Sequence, residues 1–376
     1  MSVQKLYLAN LLTSGSNESI KSRYSFLESG KIFSLETFYK GPKVAKVLTA
    51  NPDVKILLDS GAHTLIHKAI QQGIEKSLTG KEKMDSITFD LEQFDSLPKE
   101  VQRLMATTVS KSTDLNGFLR GSTSRFVVDW TYFDSTEVKK FMDDYVQYVH
   151  KYNSQLYEYI NLDVIFNPER TWDHQKYLES NGLKPIPVFH FGEDIKWLKK
   201  YMDNYDYIGI GGLGQDVTKA KFIIYQGDPV FKLLGESKQE IKTHGFAVTS
   251  LDLMLRYKWF SVDSTTWVKH AAYGSVLVPK YNRKTKQYDY GKNAILISVS
   301  DRSKIGTPNR PHYTLIHTEE EIQQIRSYFE VKGMKETDLE TVWEARVNAN
   351  IEYYRDLSLF LRNYKQEKRA IQKRFF

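Results

Sequence analysis

Four aspartates stand where apolar runs of this chain stop. Val54–Ser60 ends on Asp59, Arg125–Trp130 on Asp129, Tyr159–Val164 on Asp163 and Trp259–Ser264 on Asp263. His190 closes the run Ile186–Phe191, and Gly211-Gly212 closes Tyr207–Gly212. One such aspartate is explained equally well as a helix N-cap or an ion-paired side chain. Four gathered at one place are costly, because each buried carboxylate needs a cation, hydrogen-bond donors or a ligand to offset its lost hydration. Two carboxylates flanking an anomeric carbon can serve as nucleophile and as acid/base, and retaining glycosyl transfer sets them ~5 Å apart. A third could accept the adjacent N–H donors of a guanine-like base through charge-assisted hydrogen bonds. Metal-dependent hydrolysis by Asp59, His190 and Asp263 would use the same residue types, but the His-x-His strand ending usual in such barrels is missing.

The elements that must position these residues are read from periodicity. Eight short apolar runs are expected as strands: Leu6–Asn10, Val54–Ser60, Arg125–Trp130, Tyr159–Val164, Ile186–Phe191, Tyr207–Gly212, His244–Val248 and Trp259–Ser264. Helical patterns follow several of them, at His63–Leu78, Ser135–Tyr152, Glu193–Tyr205 and Ser250–Tyr257. Buried-type strands alternating with helices imply parallel βαβ units. Eight of them imply an α/β protein with a (β/α)8 TIM barrel over residues 1–275, interrupted by an insertion at 84–124 after the second strand. In that fold the site lies at the C-terminal ends of the strands, where the aspartates stand.

Residues 276–376 read as a C-terminal β-hairpin followed by a helical extension. The hairpin tip carries Arg283, Lys284 and Lys286 among Tyr281, Tyr288 and Tyr290. The chain end adds Lys365, Lys368 and Arg369. Cations interleaved with aromatics suit phosphate and base contacts, and they suit a solvated surface equally well. From Trp343 to Tyr364 apolar residues recur every three or four positions, one stripe of a packed helix.

The 376 residues are 41% hydrophobic and 26% charged, with net charge +7, as for a soluble globular protein with a polyanionic partner. There are no cysteines, so disulfides and thiolate metal sites are excluded. No apolar run reaches the ~18 residues of a membrane span. A signal-peptide layout is also missing, and the expected location is the cytoplasm, the host's if the protein is viral.

The strand ends resemble the tRNA-guanine transglycosylase superfamily. Asp59-Ser60-Gly61-Ala62 is similar to its DSGG motif, Leu162-Asp163 to the base-recognising strand end, and Gly209-Ile210-Gly211-Gly212-Leu213-Gly214 to its VGGL stretch. Val188-Phe189-His190-Phe191-Gly192 stands where the family has a VQG-type segment, with His190 for its Gln. His244–Val248 precedes Phe260-Ser261-Val262-Asp263 by the family's spacing between MGVG and VDxFD. The resemblance implies Asp263 as nucleophile and Asp59 as general acid/base. It implies Asp163, His190, Ser60, His63 and the Gly211 and Gly212 backbone around the base, with His63 at the stacking aromatic position. The family's zinc site of three Cys and a His is absent, and the basic segment after the nucleophile becomes Ser264-Thr265-Thr266-Trp267. Matched carboxylates without the tRNA-binding features look like the DNA 7-deazaguanine transglycosylases of phage and bacterial DNA-modification systems. These expectations are an enzyme acting on DNA and a preQ0-type base, needing neither cofactor nor metal. The alternatives are a zinc-less enzyme acting on tRNA and a noncatalytic nucleic-acid-binding homologue.

Overall fold

The structure is a computed structural model and describes residues 3–15, 17–79, 129–165, 167–211, 220–300 and 311–364. Eight strands share one sheet. They are β1 (Lys5–Ala9), β2 (Phe33–Thr37), β3 (Ile56–Asp59), β4 (Leu156–Tyr159), β5 (Val188–His190), β6 (Tyr207–Gly211), β7 (Lys242–Gly245) and β8 (Ser261–Ser264). Their order is β4-β3-β2-β1-β8-β7-β6-β5. The registers β1 with β8, β3 with β4, β5 with β6 and β6 with β7 are all parallel. This α/β sheet is compatible with the expected (β/α)8 class.

Membership of the sheet differs from the expectation at two places. Arg125–Trp130 supplies no described strand: residues 125–128 lie outside the described residues, and Trp130 opens a 3-10 turn, Trp130–Asp134. The strand that sequence reading missed is β2. Its Ser34 and Glu36 are fully buried beside buried Leu35, so polar residues occupy positions that an apolar pattern cannot reveal. Residues past Tyr159 also leave the strand early; Ile160 makes a single parallel bridge to Ile186. The insertion 84–124 lies outside the described residues.

By contacts the chain divides into two compact units, Leu35–Ala247 and Met1–Ser34 with Val248–Phe376. The first holds β3 to β7 and the helices α2 (Gly41–Ala50), α3 (Ala62–Thr79), α4 (Thr136–Tyr152), α5 (Pro168–Ser180), α6 (Ile195–Asn204) and α7 (Ala220–Gly235). Ile56, Leu57 and Leu58 of β3 are all buried, on both faces, which a parallel strand covered by helices requires. Ala62, Leu65, Ile66 and Ala69 of α3 pack with Val138 and Met142 of α4 and with Leu162 and Val164. Local signals start these helices where they must start. Ser135 accepts from Val138 N, Asn167 from Arg170 N with Pro168 following, and Asp194 from Lys196 N.

The other unit contains β1, α1 (Asn17–Glu28), α8 (Leu251–Arg256), β8 and α9 (Thr266–Ala272). Then come β9 (Ser275–Val278), the antiparallel hairpin β10 (Lys280–Asn282) and β11 (Gln287–Asp289), and β12 (Ile295–Ser298), which pairs antiparallel with β9. Helices α10 (Glu319–Val331), α11 (Glu336–Thr341) and α12 (Trp343–Asn363) complete it. The expected stripe is the buried face of α12, through Val347, Ile351, Tyr354, Leu357 and Leu361. Within that face Asn350 is fully buried and serves three backbone groups. It accepts from Leu277 N at 2.8 Å and donates to Trp267 O at 3.0 Å and Ser275 O at 3.3 Å. No described helix is long and apolar enough to cross a membrane.

Asn350 thus satisfies one backbone N–H and two backbone carbonyls. Replacing it by Ala leaves a buried N–H and two carbonyls short of partners, at ~1–3 kcal/mol for the worst of them. Asn350→Ala is expected to lower the unfolding free energy by about 3 kcal/mol, measured as a shifted urea midpoint at unchanged slope.

Candidate active site

Asp163, His190 and Glu193 form a buried chain of charge in the first unit. His190 Nε2 lies 2.9 Å from Asp163 Oδ2, and Nδ1 lies 3.0 Å from Glu193 Oε1. The three side chains are only 6% exposed for His190, 9% for Asp163 and 6% for Glu193. Burial opposes a charge on His190, but Glu193 and Asp163 on either side outweigh it and push its pKa up to about 10. As an imidazolium, His190 donates through both ring nitrogens. Among the described residues no three His, Asp or Glu side chains gather to hold a metal ion.

Each member is placed by its local sequence. His190-Phe191-Gly192-Glu193 is a turn closed by Glu193 N donating to His190 O at 3.1 Å, with Gly192 at φ +95° as a type II turn demands. That turn folds Glu193 back, and its second oxygen accepts from His190 N at 3.1 Å. Opposite, Gly211 makes room for the ring: a Cβ there would stand 2.6 Å from His190 Cδ2. Asp163 lies in the irregular segment after β4, where its N–H donates to Asn161 O at 3.0 Å. Asn161 donates to Thr171 O at 2.9 Å, and Val164 N donates to Thr171 Oγ1 at 2.9 Å, so α5 pins the residues on both sides of it.

Asp59 ends β3 in the same unit and is half-buried. Tyr145 of α4 relates it to Asp163. The Tyr145 hydroxyl donates to Ile160 O at 2.7 Å and ionises far above its usual range, through burial first, with Asp59 and Asp163 among the charges that add to the effect. Ser60 is fully buried and its hydroxyl has no hydrogen-bond partner among the described residues. Gly61 after it has φ +87°, and a Cβ would lie 3.2 Å from Tyr39 Cβ and 3.3 Å from Thr37 Oγ1, so this turn admits only glycine. His63, expected to stack on a base, is exposed and packs T-shaped on His67, Nε2 to Nε2 at 3.3 Å. Burial lowers the pKa of His63 against an opposing pull from Asp163, and burial with His63 brings His67 down to about 4.

Asp263 belongs to the other unit, where it is 5% exposed in β8 and lies opposite Tyr7 of β1. Asp129 caps the 3-10 turn, accepting from Thr131 N at 3.1 Å and Thr131 Oγ1 at 2.6 Å. At the hairpin tip Arg283, Lys284 and Lys286 are exposed, and Arg283 pairs with Glu320 at 2.8 Å. The neighbouring tyrosines pack inward: Tyr288 donates to Gln324 O at 2.8 Å and Tyr290 to Asp356 Oδ2 at 2.7 Å. Gly212, Lys365, Lys368 and Arg369 lie outside the described residues. Glu193 is the site residue that sequence reading missed; its signal was the turn-forming His-x-Gly-Glu order rather than a strand end.

No family model matches the chain, and no curated protein matches it.

Two outcomes follow from the geometry. Gly211→Ala forces His190 off its carboxylates, and thermal melting should show a loss of about 1–3 kcal/mol. The raised pKa of His190 also carries a sign. Its stabilisation is full below the unfolded value, near 6.5, and is lost as pH climbs through about 10. The stability margin of the unmodified chain over His190→Gln should therefore shrink between those limits, as followed by urea unfolding at stepped pH.

Proposed function

We propose that the chain is a (β/α)8-barrel transglycosylase that exchanges guanine in DNA for a 7-deazaguanine of the preQ0 type. The observation that carries this reading is the buried Asp163–His190–Glu193 chain, which holds two carboxylates and one cation beside the β3 end that bears Asp59. A cluster with that net negative charge favours a ligand rich in N–H donors. The guanine edge, with two adjacent donors, is such a ligand. The chain as a whole is positive, at +7, which favours a polyanion as the carrier of that base.

In the reaction, the Asp263 carboxylate attacks C1′ of a flipped-out deoxyguanosine. The C1′–N9 bond breaks, Asp59 donates a proton to the leaving guanine, and a glycosyl ester on Asp263 remains. Asp59 then takes the proton from the incoming deazaguanine, whose nitrogen attacks C1′ and releases Asp263. Asp163 accepts the N–H edge of the base, and the Gly211 backbone and Ser60 lie beside it. Extruding the base costs a few kcal/mol, which phosphate contacts from Lys284 and Lys286 offset.

Labelled preQ0 offered with DNA and, separately, with tRNA tests the scheme. Label is expected in DNA, with Asp59→Ala slower by about 10²–10⁴-fold and Asp263→Ala inactive and untrappable as a covalent adduct. Label entering tRNA alone would move the acceptor to RNA. Exchange that persists in Asp263→Ala would remove the double displacement.

A further inference from the structure

His190 stands where the resemblance expects a residue that touches the base, yet its geometry leaves it nothing to offer. Both ring nitrogens face carboxylate oxygens, at 2.9 Å and 3.0 Å. A neutral imidazole carries one N–H, so its other nitrogen would present a lone pair to an oxygen at contact distance. With both carboxylates ionised, only the doubly protonated ring satisfies them, and both of its N–H groups are then used. Glu193 spends both oxygens on the same residue, one on the ring and one on the His190 backbone N–H. Asp163 spends one oxygen on the ring. Among the described residues, the oxygen of these two carboxylates that is not engaged with His190 is the second one of Asp163.

We propose that Glu193 and His190 form a positioning relay for Asp163, in which His190 never contacts the ligand and the ligand meets one aimed oxygen of Asp163. The assignment rests on the transglycosylase reading for the identity of the ligand and deepens it. A carboxylate held this way can accept and cannot donate, so it selects bases presenting N–H groups and rejects those presenting a ring acceptor at that edge. Gly211 is part of the device, since its missing side chain lets the ring lie between its two partners. Four other titratable groups lie within the field of this cluster. They are Tyr201 of α6, near Glu193 and Asp163, and His63 of α3, His174 of α5 and Tyr145 of α4, each near Asp163. Both tyrosines ionise far above their usual range and both histidines below theirs, burial being the leading cause for each, so His190 is the ring in this group expected to stay charged at neutral pH.

Nitrogen-15 NMR of histidine-labelled full-length protein counts the ring protons directly. His190 is expected to keep both to about pH 8, well above the ordinary range of a histidine, and Glu193→Gln is expected to lose one there. Guanine binding by calorimetry supplies the second readout. Glu193→Gln should bind guanine about tenfold to a hundredfold more weakly at about pH 8 and recover at about pH 6, where solvent protonates the ring. Glu193→Asp, which keeps the charge, should restore part of the affinity at the higher pH. A single ring proton on His190 in the unmodified protein, or a Glu193→Gln variant indifferent to pH in binding guanine, overturns the relay. Failure of the unmodified protein to bind guanine sinks the transglycosylase reading instead, while the ring-proton count still decides the relay.

Discussion

Two carboxylates cannot be buried side by side without something positive between them. In this protein that something is the His190 ring, held between Asp163 and Glu193 at hydrogen-bond distance on both sides. Much of the surrounding architecture answers to this requirement. The turn after β5 needs Gly192 in a left-handed conformation to bring Glu193 back onto the ring. β6 needs a glycine at 211 because any side chain there would collide with the imidazole. The segment after β4 needs Thr171 and Asn161 to hold Asp163 at the right height. Each condition is local, and together they fix a charge pattern that none of the elements would adopt alone. Removing the ring would leave two uncompensated buried anions, which is far more costly than never having built the chain.

The sequence disclosed the parts of this arrangement that follow from apolar periodicity. β3 and β6 are apolar through and through, and their ends were readable as the places where Asp59 and Gly211 stand. The stripe on α12 was readable for the same reason. What escaped was polar and inward-facing. β2 hides Ser34 and Glu36 inside, so its pattern resembles a surface segment. Asp129 looked like the other strand-end aspartates, yet it caps a 3-10 turn, a role that sequence alone leaves equally open. Glu193 was passed over because its signal lies in the His-x-Gly-Glu turn and not at a strand end, and a loop glutamate three residues past a strand is ordinary until that turn is known. The tyrosines of the β10–β11 hairpin read as stacking groups, whereas Tyr288 and Tyr290 anchor the hairpin through their hydroxyls.

The second unit follows a different logic, in which side chains substitute for missing backbone pairing. Asn350 closes open groups around β9 and α9. Arg346 donates to Ala271 O at 3.0 Å and Leu339 O at 2.8 Å, and Arg362 to Gly30 O at 2.7 Å. Helix α12 therefore acts as a splint whose polar residues, at intervals along its buried side, tie down irregular chain. Arg23, fully buried, does similar work at the other end of the unit by donating to Leu11 O at 2.9 Å beneath Trp267. Such a unit tolerates apolar exchange in its core better than loss of any of these polar clasps.

β6 contributes Gly209 and Gly211 at alternate positions, one lying under Phe246 and the other under His190. Along that edge the strand offers rings from its neighbours a bare ribbon of peptide. The side chains that face this stretch therefore come from His190 at the end of β5 and from Phe246 just after β7. The ribbon itself is a fixed template, mute in side chains and intolerant of a single added methyl.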